Sequence, residues 1–416
     1  MYDIRGIFNK DFSLKDVYNI ANYININKKI KTIAIGYDSR YTSVLLLSAL
    51  YLGLNKDKKI ISLGMITTPI LCFAIDKLKA DCAIMITASH NPIIYNGFKI
   101  FYQNKTVFGN ALKKFLKPLN YKITRPSNIT KVDITNDYIS HIFKIQNNLN
   151  KKIIWNGGGT ITSVIIQKLL EKINNKNYFA INNELNKYAA IDPTIEKYQV
   201  QSRESVKLHN ADFAFIFDGD CDRLIIMDKN GDILSAEEIL FLLKDIYKKC
   251  VVETKISRNT INYIEKNYNK EFFIVKTGHP YLKIGINKYS ADFAIDISGH
   301  MIFADNKYDD ALYAAVKIIN YLDNNKLNFK NYISKELRIN CSNKDKIMNK
   351  IFFFIKKNSY NYKIFDGIEI NIFDGWLLIR QSNTEGLISI RYENTDLLLY
   401  NKMQNWINHN IISIIT

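Results

Sequence analysis

The chain has 416 residues, 47% of them hydrophobic and 12% aromatic, with 57 Lys and Arg against 40 Asp and Glu for a formal net charge of +17. That length exceeds what one hydrophobic core serves, so about two to four domains are expected, and no apolar run approaches the ~20 residues of a membrane span. Five cysteines (Cys72, Cys82, Cys221, Cys250, Cys341) show no C-x-x-C spacing, which fits reduced thiols and argues against a disulfide framework or structural zinc. The N-terminal MYDIRGIFNK has no apolar core and no small-residue cleavage site, so it does not read as a secretory signal and a cytoplasmic location is expected. Lysines are dispersed among Asn and Ile, as in NYININKKIK, so the charge reads as a solvated face that favours anionic small substrates. Neither a nucleic-acid nor a membrane partner is expected.

In chain order, KTIAIGYDSR (31–40) reads as an apolar strand ending in a polar loop, and TSVLLLSALYLGL (42–54) as the helix after it. ADCAIMITASHNP (80–92) is a second such strand. After an Asn-rich stretch near 120–150, KKIIWNGGGT (151–160) runs into a glycine turn and ITSVIIQKLLEKI (161–173) into an amphipathic helix. ADFAFIFDGDCDRLIIMDKNGD (211–232) gives a strand, an acidic loop and a hairpin closing on Asn230-Gly231. Ser235 and Glu238 have capping-box spacing at the start of SAEEILFLLKDIYKK (235–249), which predicts a helix along that segment. FFIVKTGHP (272–280) and ADFAIDISGHMIF (291–303) make a further α/β unit. From about 336 the order changes to alternating strands closed by the helix LLLYNKMQNWINHNIISII (397–415), a separate α+β domain.

Four polar loops at strand ends carry the chemistry, where α/β proteins place it. Ser-His-Asn-Pro (89–92) alone is a turn, but Ser89 beside His90, with Lys99 ten residues on, has the parts of an activated nucleophile or phosphoryl carrier. In DGDCDR, Asp218, Asp220 and Asp222 repel one another unless a cation neutralises them, and a hard divalent ion, most simply Mg2+, suits them. A calcium EF-hand is excluded because its glycine and glutamate positions hold Arg223 and Lys229. A solvated acidic turn, or a haloacid-dehalogenase-type phosphatase with Asp218 as nucleophile, stays open. Lys276, His279, Asp296, Ser298 and His300 together suggest a polyol site. Arg380, Ser382, Asn383 and Thr384 in RQSNTEG offer what a phosphate dianion requires, although the stretch also reads as a hairpin turn.

In this order and at these separations, TASHNP, DGDCDR, SGH and RQSNTEG resemble the α-D-phosphohexomutase superfamily, most closely its phosphomannomutase/phosphoglucomutase branch. YDIRG, GYDSR, YNGFK, KTGHP and LISIRYE are similar to further family segments, so the likeness covers essentially the whole chain. The resemblance implies an α/β fold: three related α/β domains with mixed sheets plus a C-terminal α+β (TATA-binding-protein-like) domain, heart-shaped around a central cleft. On this chain the domains would be 1–133 with the phosphoserine loop, 134–232 with the metal loop, 233–335 with the sugar loop and 336–416 with the phosphate loop.

The implied activity interconverts hexose 1-phosphate and hexose 6-phosphate, of mannose or glucose, through a phosphoserine at Ser89 and a bisphosphorylated intermediate. Ser89, Asp218, Asp220 and Asp222 would hold Mg2+, with Arg5, His90, Lys99 and Arg223 as the other catalytic groups. Lys255, His279, Asp296, Ser298 and His300 would bind the sugar, and Arg380, Ser382, Asn383 and Thr384 the phosphate that does not react. A hexose 1,6-bisphosphate would activate the enzyme, and a monomer is expected. Two departures stand out. Where the family has Gly-Glu, this chain has Ile295-Asp296, which predicts an altered backbone path before a carboxylate that is one methylene shorter. Thr87 before ASHNP leans away from the phosphoglucosamine branch, which stays open beside a phosphosugar-binding protein without turnover.

Overall fold

The computed structural model describes residues 2–118, 129–145, 150–322, 332–382 and 386–415. The chain forms two compact units, Met1–Leu234 with Phe293–Asn324, and Ser235–Asp292 with Asn325–Thr416. The segment 233–335 therefore contributes to both.

The first unit is built on two mixed sheets. In the larger, the strands run in the order Ile4–Ile7, Tyr95–Tyr102, Cys82–Ile86, Thr32–Tyr37, Lys59–Met65, Ile129–Lys131. The last four are parallel and the first two antiparallel. The parallel strands are continuous apolar runs because helices cover them: Ile33, Ile35, Ile84 and Phe98 share one core with Ile20 and Ile24 of helix Leu14–Ile26 and Leu46 and Leu50 of helix Ser43–Gly53. Gly97 sits opposite Arg5, where a Cβ would meet the Ile4 carbonyl at 1.9 Å, so only glycine permits this strand pairing.

The second sheet runs Leu224–Asp228, Phe213–Phe217, Ile153–Asn156, Tyr178–Ile181. Every residue of FAFIF is buried, with Trp155 against Phe215 and Phe217. The predicted hairpin is present: Phe213–Phe217 and Leu224–Asp228 are antiparallel, and Gly231 N donates to Asp228 O at its end. A shorter hairpin, Phe293–Ile295 with Met301–Phe303, precedes helix Ala311–Ile318. Ile295, where the family has glycine, is a fully buried strand residue paired with Met301, so the backbone reaches Asp296 along an ordinary strand.

In the second unit, Ser235 and Glu238 form the predicted capping box, but the helix spans only Ala236–Leu242. The chain must turn to enter the strand Lys249–Glu253. Turns at Lys244 and Ile246 and a hydrogen bond from Tyr247 Oη to Leu240 O take over from the helical ladder. That strand pairs in parallel with Glu271–Val275. The C-terminal α+β segment is an antiparallel five-stranded sheet, Ile333–Asn340, Leu387–Asn394, Gly375–Gln381, Ile368–Ile372, Tyr362–Ile364. Helices Lys344–Lys357 and Leu397–Ile407 cover one face of it through Ile351, Ile355, Met403 and Ile407. Among the described residues, no helix is long and apolar enough to cross a membrane.

Candidate active site

Two loops of the first unit meet at the carboxyl ends of their strands. Ser89 follows Cys82–Ile86, and Asp218 follows Phe213–Phe217. Ser89 Oγ donates to Asp218 Oδ2 at 2.5 Å and lies 3.1 Å from His90 Nδ1. The approach is close because residue 219 is glycine: a Cβ there would sit 2.8 Å from the Ser89 carbonyl oxygen.

Ser89 itself has φ of +51°, a left-handed conformation that a non-glycine residue keeps only when its surroundings enforce it. The enforcing group is Arg40, which is buried. Its Nη1 donates to the carbonyls of Pro92 and Tyr95, its Nη2 to those of Ser89 and Asn91, and its Nε to Asp38. All five guanidinium protons are thereby used. Asp38 in turn accepts from Thr87 Oγ1, which accepts from Ser89 N.

Asp218, Asp220 and Asp222 are buried, with carboxylate oxygens within 4.8 Å of one another. Asp218 Oδ1 accepts from Asp222 N and Arg223 N, and Thr162 Oγ1 holds the loop by donating to Asp218 O at 3.0 Å. Thr68, the first residue of helix Thr68–Leu78, donates its hydroxyl to Asp220 Oδ2 at 2.5 Å and its N–H to Asp220 O at 2.9 Å. Burial and then the neighbouring Asp222 and Asp220 push the Asp218 carboxyl well above the usual range. The cluster therefore demands positive charge. In the structure Lys99 supplies it, its Nζ 2.5 Å from both Asp220 Oδ2 and Asp222 Oδ2. Burial works against the Lys99 ammonium, but the two carboxylates outweigh it and raise its pKa. Asp220 Oδ1 is buried with no hydrogen-bond partner among the described residues. Three convergent carboxylates, one orphaned oxygen and a resident ammonium fit a hard divalent cation.

His90 is held well below its ordinary pKa, by burial first and then by Arg223 and Arg5, so its imidazole is neutral at pH 7. Arg5 donates to Asn91 Oδ1 and to Asp3 Oδ2, both at 2.6 Å, fixing its fork on the serine loop. In the sugar loop the Asp296 carboxylate is engaged within its own loop. Oδ1 accepts from Ser298 N, Ser298 Oγ and His300 N, and Oδ2 lies 2.8 Å from His300 Nδ1. Burial opposes both charges, but the pair wins: Asp296 falls to about 2 and His300 rises to about 10. Asp296 thus braces its own loop. It presents Ser298, which is half-buried, and a protonated His300 whose Nε2 is 3.6 Å from Asp222 Oδ1 and beside Arg223.

In the second unit, Arg380 is the next-to-last residue of the strand Gly375–Gln381, buried, with Nε 3.3 Å from Asp366 Oδ2. The same Asp366 oxygen accepts from Thr277 N at 2.9 Å, which joins the Lys276-to-His279 loop to Arg380. Gly278 in that loop has φ of +125°, open to glycine alone. The Lys255 ammonium lies 2.9 Å from Glu336 Oε1, which also accepts from Ser389 Oγ. Ser382 is positioned by Leu387 O and by Lys344, whose Nζ donates to its carbonyl. Asn383 and Thr384 lie outside the described residues. The residues missed in the sequence are the supports: Asp38, Arg40, Thr68, Thr87 and Thr162.

Three family models match consecutive stretches of the chain: phosphoglucomutase/phosphomannomutase alpha/beta/alpha domain I over residues 1–117, domain II over 136–231 and domain III over 233–338. The chain belongs to the phosphoglucomutase/phosphomannomutase family. It is accordingly an enzyme, a phosphohexomutase of the isomerase class. A phosphoglucomutase of Neisseria gonorrhoeae is 28% identical, the match covering 97% of this chain and 94% of that protein. A phosphomannomutase/phosphoglucomutase of Pseudomonas aeruginosa is 26% identical over 94% of this chain and 90% of its own length. Among solved structures, a phosphoglucomutase/phosphomannomutase family protein from Burkholderia thailandensis superposes with a TM-score of 0.86 at 22% identity, covering 99% of this chain and 96% of that one. It shares the family fold.

Proposed function

We propose that the enzyme interconverts the 1- and 6-phosphates of mannose and glucose, with Ser89 as the phosphoryl carrier. The Ser89–phosphorus bond breaks as a substrate hydroxyl bonds to phosphorus, giving a hexose 1,6-bisphosphate, and the hydroxyl proton ends on the freed Ser89 Oγ. The bisphosphate then turns end for end, and its other phosphoryl group returns to Ser89. The bisphosphate also primes any enzyme that has lost its phosphoserine. In the return step neutral His90, 3.1 Å from Ser89 Oγ, takes the serine proton. Asp218, Asp220, Asp222 and the serine phosphate would hold Mg2+, which supplies charge neutralisation on the transferring group. Arg5, Arg223 and Lys99 add positive charge around the phosphoryl group. Ser298, His279 and His300 receive the sugar, while Arg380, Ser382, Asn383 and Thr384 grip the phosphate that does not react. A cytoplasmic location agrees with this chemistry.

The observation that carries the reading is Ser89 Oγ set on Asp218 at the edge of a three-carboxylate cluster. The test is a set of coupled assays with mannose, glucose and glucosamine 1-phosphates on one preparation, with mass spectrometry of the phosphorylated site. Turnover of the first two, a single phosphoryl group on Ser89 and near-complete loss in Ser89→Ala are expected. Full activity in Ser89→Ala with a dead Asp218→Asn would instead indicate a phosphatase using Asp218 as nucleophile.

A further inference from the structure

We infer that Thr68 is the positioning residue that makes Asp220 a one-oxygen ligand, and that it thereby tunes the acidic cluster to a small divalent ion such as Mg2+ and against Ca2+. The inference rests on the reading that Asp218, Asp220 and Asp222 hold the cation. Thr68 itself lies in none of the four loops that carry the chemistry.

Asp220 is fully buried, so each oxygen of its carboxylate must find its partner inside the protein. The two oxygens are treated unequally. Oδ2 accepts from Thr68 Oγ1 and from Lys99 Nζ, both at 2.5 Å, whereas Oδ1 has no hydrogen-bond partner among the described residues. Thr68 also holds the main chain of the same aspartate, donating its N–H to Asp220 O at 2.9 Å. A residue gripped at its carbonyl and at one carboxylate oxygen has little freedom for the rotation that would exchange Oδ1 and Oδ2.

The clamp is rigid in its turn. Thr68 is buried at the start of helix Thr68–Leu78 and is followed by Pro69, whose ring suits the first turn of a helix. Its N–H is one of the first-turn donors without an intrahelical acceptor, and Asp220 O satisfies it. The branched Cβ of threonine restricts χ1, so the hydroxyl stays aimed at Oδ2.

Lys99 shares Oδ2 but cannot keep it on the same terms. An ammonium and a dication close together in a buried site repel strongly, while a neutral hydroxyl is indifferent to the incoming charge. With a cation bound, Thr68 is the donor that stays on Oδ2. Asp218 Oδ2 instead accepts from Ser89 Oγ, the group that reacts, so its surroundings change during turnover.

The two ions ask for different ligands. Ca2+ takes about six to eight oxygens at ~2.3–2.6 Å and accepts both oxygens of one carboxylate, whereas Mg2+ demands about six at ~2.0–2.1 Å in near-octahedral geometry and keeps several waters. A carboxylate fixed to offer Oδ1 alone meets the second requirement and withholds a ligand from the first. Removing the Thr68 hydroxyl returns Oδ2 to the cation and so favours Ca2+.

The test is calorimetric titration of the full chain, in one phosphorylation state, with magnesium chloride and with calcium chloride. Thr68→Val keeps the branched shape and the N–H and loses the hydroxyl. It should shift the ratio of Mg2+ to Ca2+ affinity toward Ca2+ by about tenfold, the worth of one hydrogen bond to a charged group. Thr68→Ser should restore the parent ratio. Thr68→Ala should move the ratio in the same direction as Thr68→Val, a result that does not depend on valine being accommodated. A ratio unchanged in the Val and Ala variants, or affinities for the two ions lowered by one common factor, would reduce Thr68 to a structural contact and overturn the inference. Asp220→Asn keeps the two questions apart. If it weakens Mg2+ binding while the Thr68 variants leave the ratio alone, the metal reading stands without this inference; if it binds Mg2+ as the parent does, both fall.

Discussion

Arg40 spends four of its five guanidinium donors on a single loop and the fifth on Asp38, and nothing smaller or less planar could do the same. Lysine offers three donors from one point and no fork. Arg40→Lys should leave some of the Ser89, Asn91, Pro92 and Tyr95 carbonyls unpaired and release the left-handed Ser89 backbone. Misplacing a reacting group by about 1 Å costs on the order of a hundredfold in rate, so kcat should fall by about that factor with KM nearly unchanged. Steady-state kinetics of the variant decide it, and a rise in KM alone would mean that Arg40 does not position Ser89. The Lys99 ammonium raises a second question at this scale, since it occupies the space between two carboxylates that a divalent ion would claim. Lys99→Met should tighten Mn2+ binding, measured by calorimetry or electron paramagnetic resonance, whereas Asp220→Asn should weaken it. Neither readout depends on turnover. The groups bearing the chemistry were legible in the sequence because they sit in compact motifs. Their supports were not: Arg40 reaches across 49 positions to Ser89, and Thr68 across 152 to Asp220. An isolated threonine before a proline carries no local sign of such a contact.

At the scale of elements, apolar runs and turn residues predicted most strands and helices, and failed where a long-range requirement prevailed. The helix begun by Ser235 and Glu238 stops at Leu242 because its chain is needed for the next strand. The strand at Ile295 was hard to delimit for the opposite reason: three residues are too few to show alternation, and only the pairing with Met301 reveals it. The energetic consequence follows directly. Ile295→Gly removes a fully buried side chain, a loss of roughly 3–5 kcal/mol including the extra freedom of the unfolded chain. Asp296→Glu forces a methylene into a carboxylate site that is already full, at about 1–3 kcal/mol. Both variants, alone and combined, should melt lower than the parent without a gain in kcat/KM. A double variant that is faster than either single one would show that the loop, and not the core, sets the reach of this site. At the end of strand Gly375–Gln381, Arg380→Lys should raise KM for mannose and glucose 1-phosphates alike. An effect on one sugar alone would mean that Arg380 reads the hydroxyls.

For the molecule as a whole, buried ionisable groups set how the fold responds to pH, and one of them runs against the usual acid lability. Asp310 caps helix Ala311–Ile318, accepting from Tyr313 N at 3.0 Å, and also accepts from Tyr138 Oη at 2.8 Å and from Asn306 Nδ2. No ion pair reaches its carboxylate among the described residues, and burial pushes its pKa from 3.8 up to about 6 in spite of these hydrogen bonds. A carboxyl raised on folding favours the folded state in its protonated form. Its contribution is therefore complete below the unfolded value near pH 4 and is lost as pH rises through about 6. The swing amounts to on the order of 3 kcal/mol. Asp310→Asn keeps the cap and the tyrosine acceptor through its amide oxygen, and rotation of the Asn306 amide can offer an oxygen to the new N–H. The variant should match the parent at pH 4 and exceed it above pH 7. Because two compact units need not unfold together, the measurement should be local. Hydrogen exchange of helices Thr135–Phe143 and Ala311–Ile318, corrected for intrinsic rates, should slow in Asp310→Asn at high pH and coincide with the parent at low pH. A difference between the two proteins that stays constant across that range would mean that Asp310 holds its charge in the fold, and that Tyr138 and the helix terminus suffice to keep it ionised.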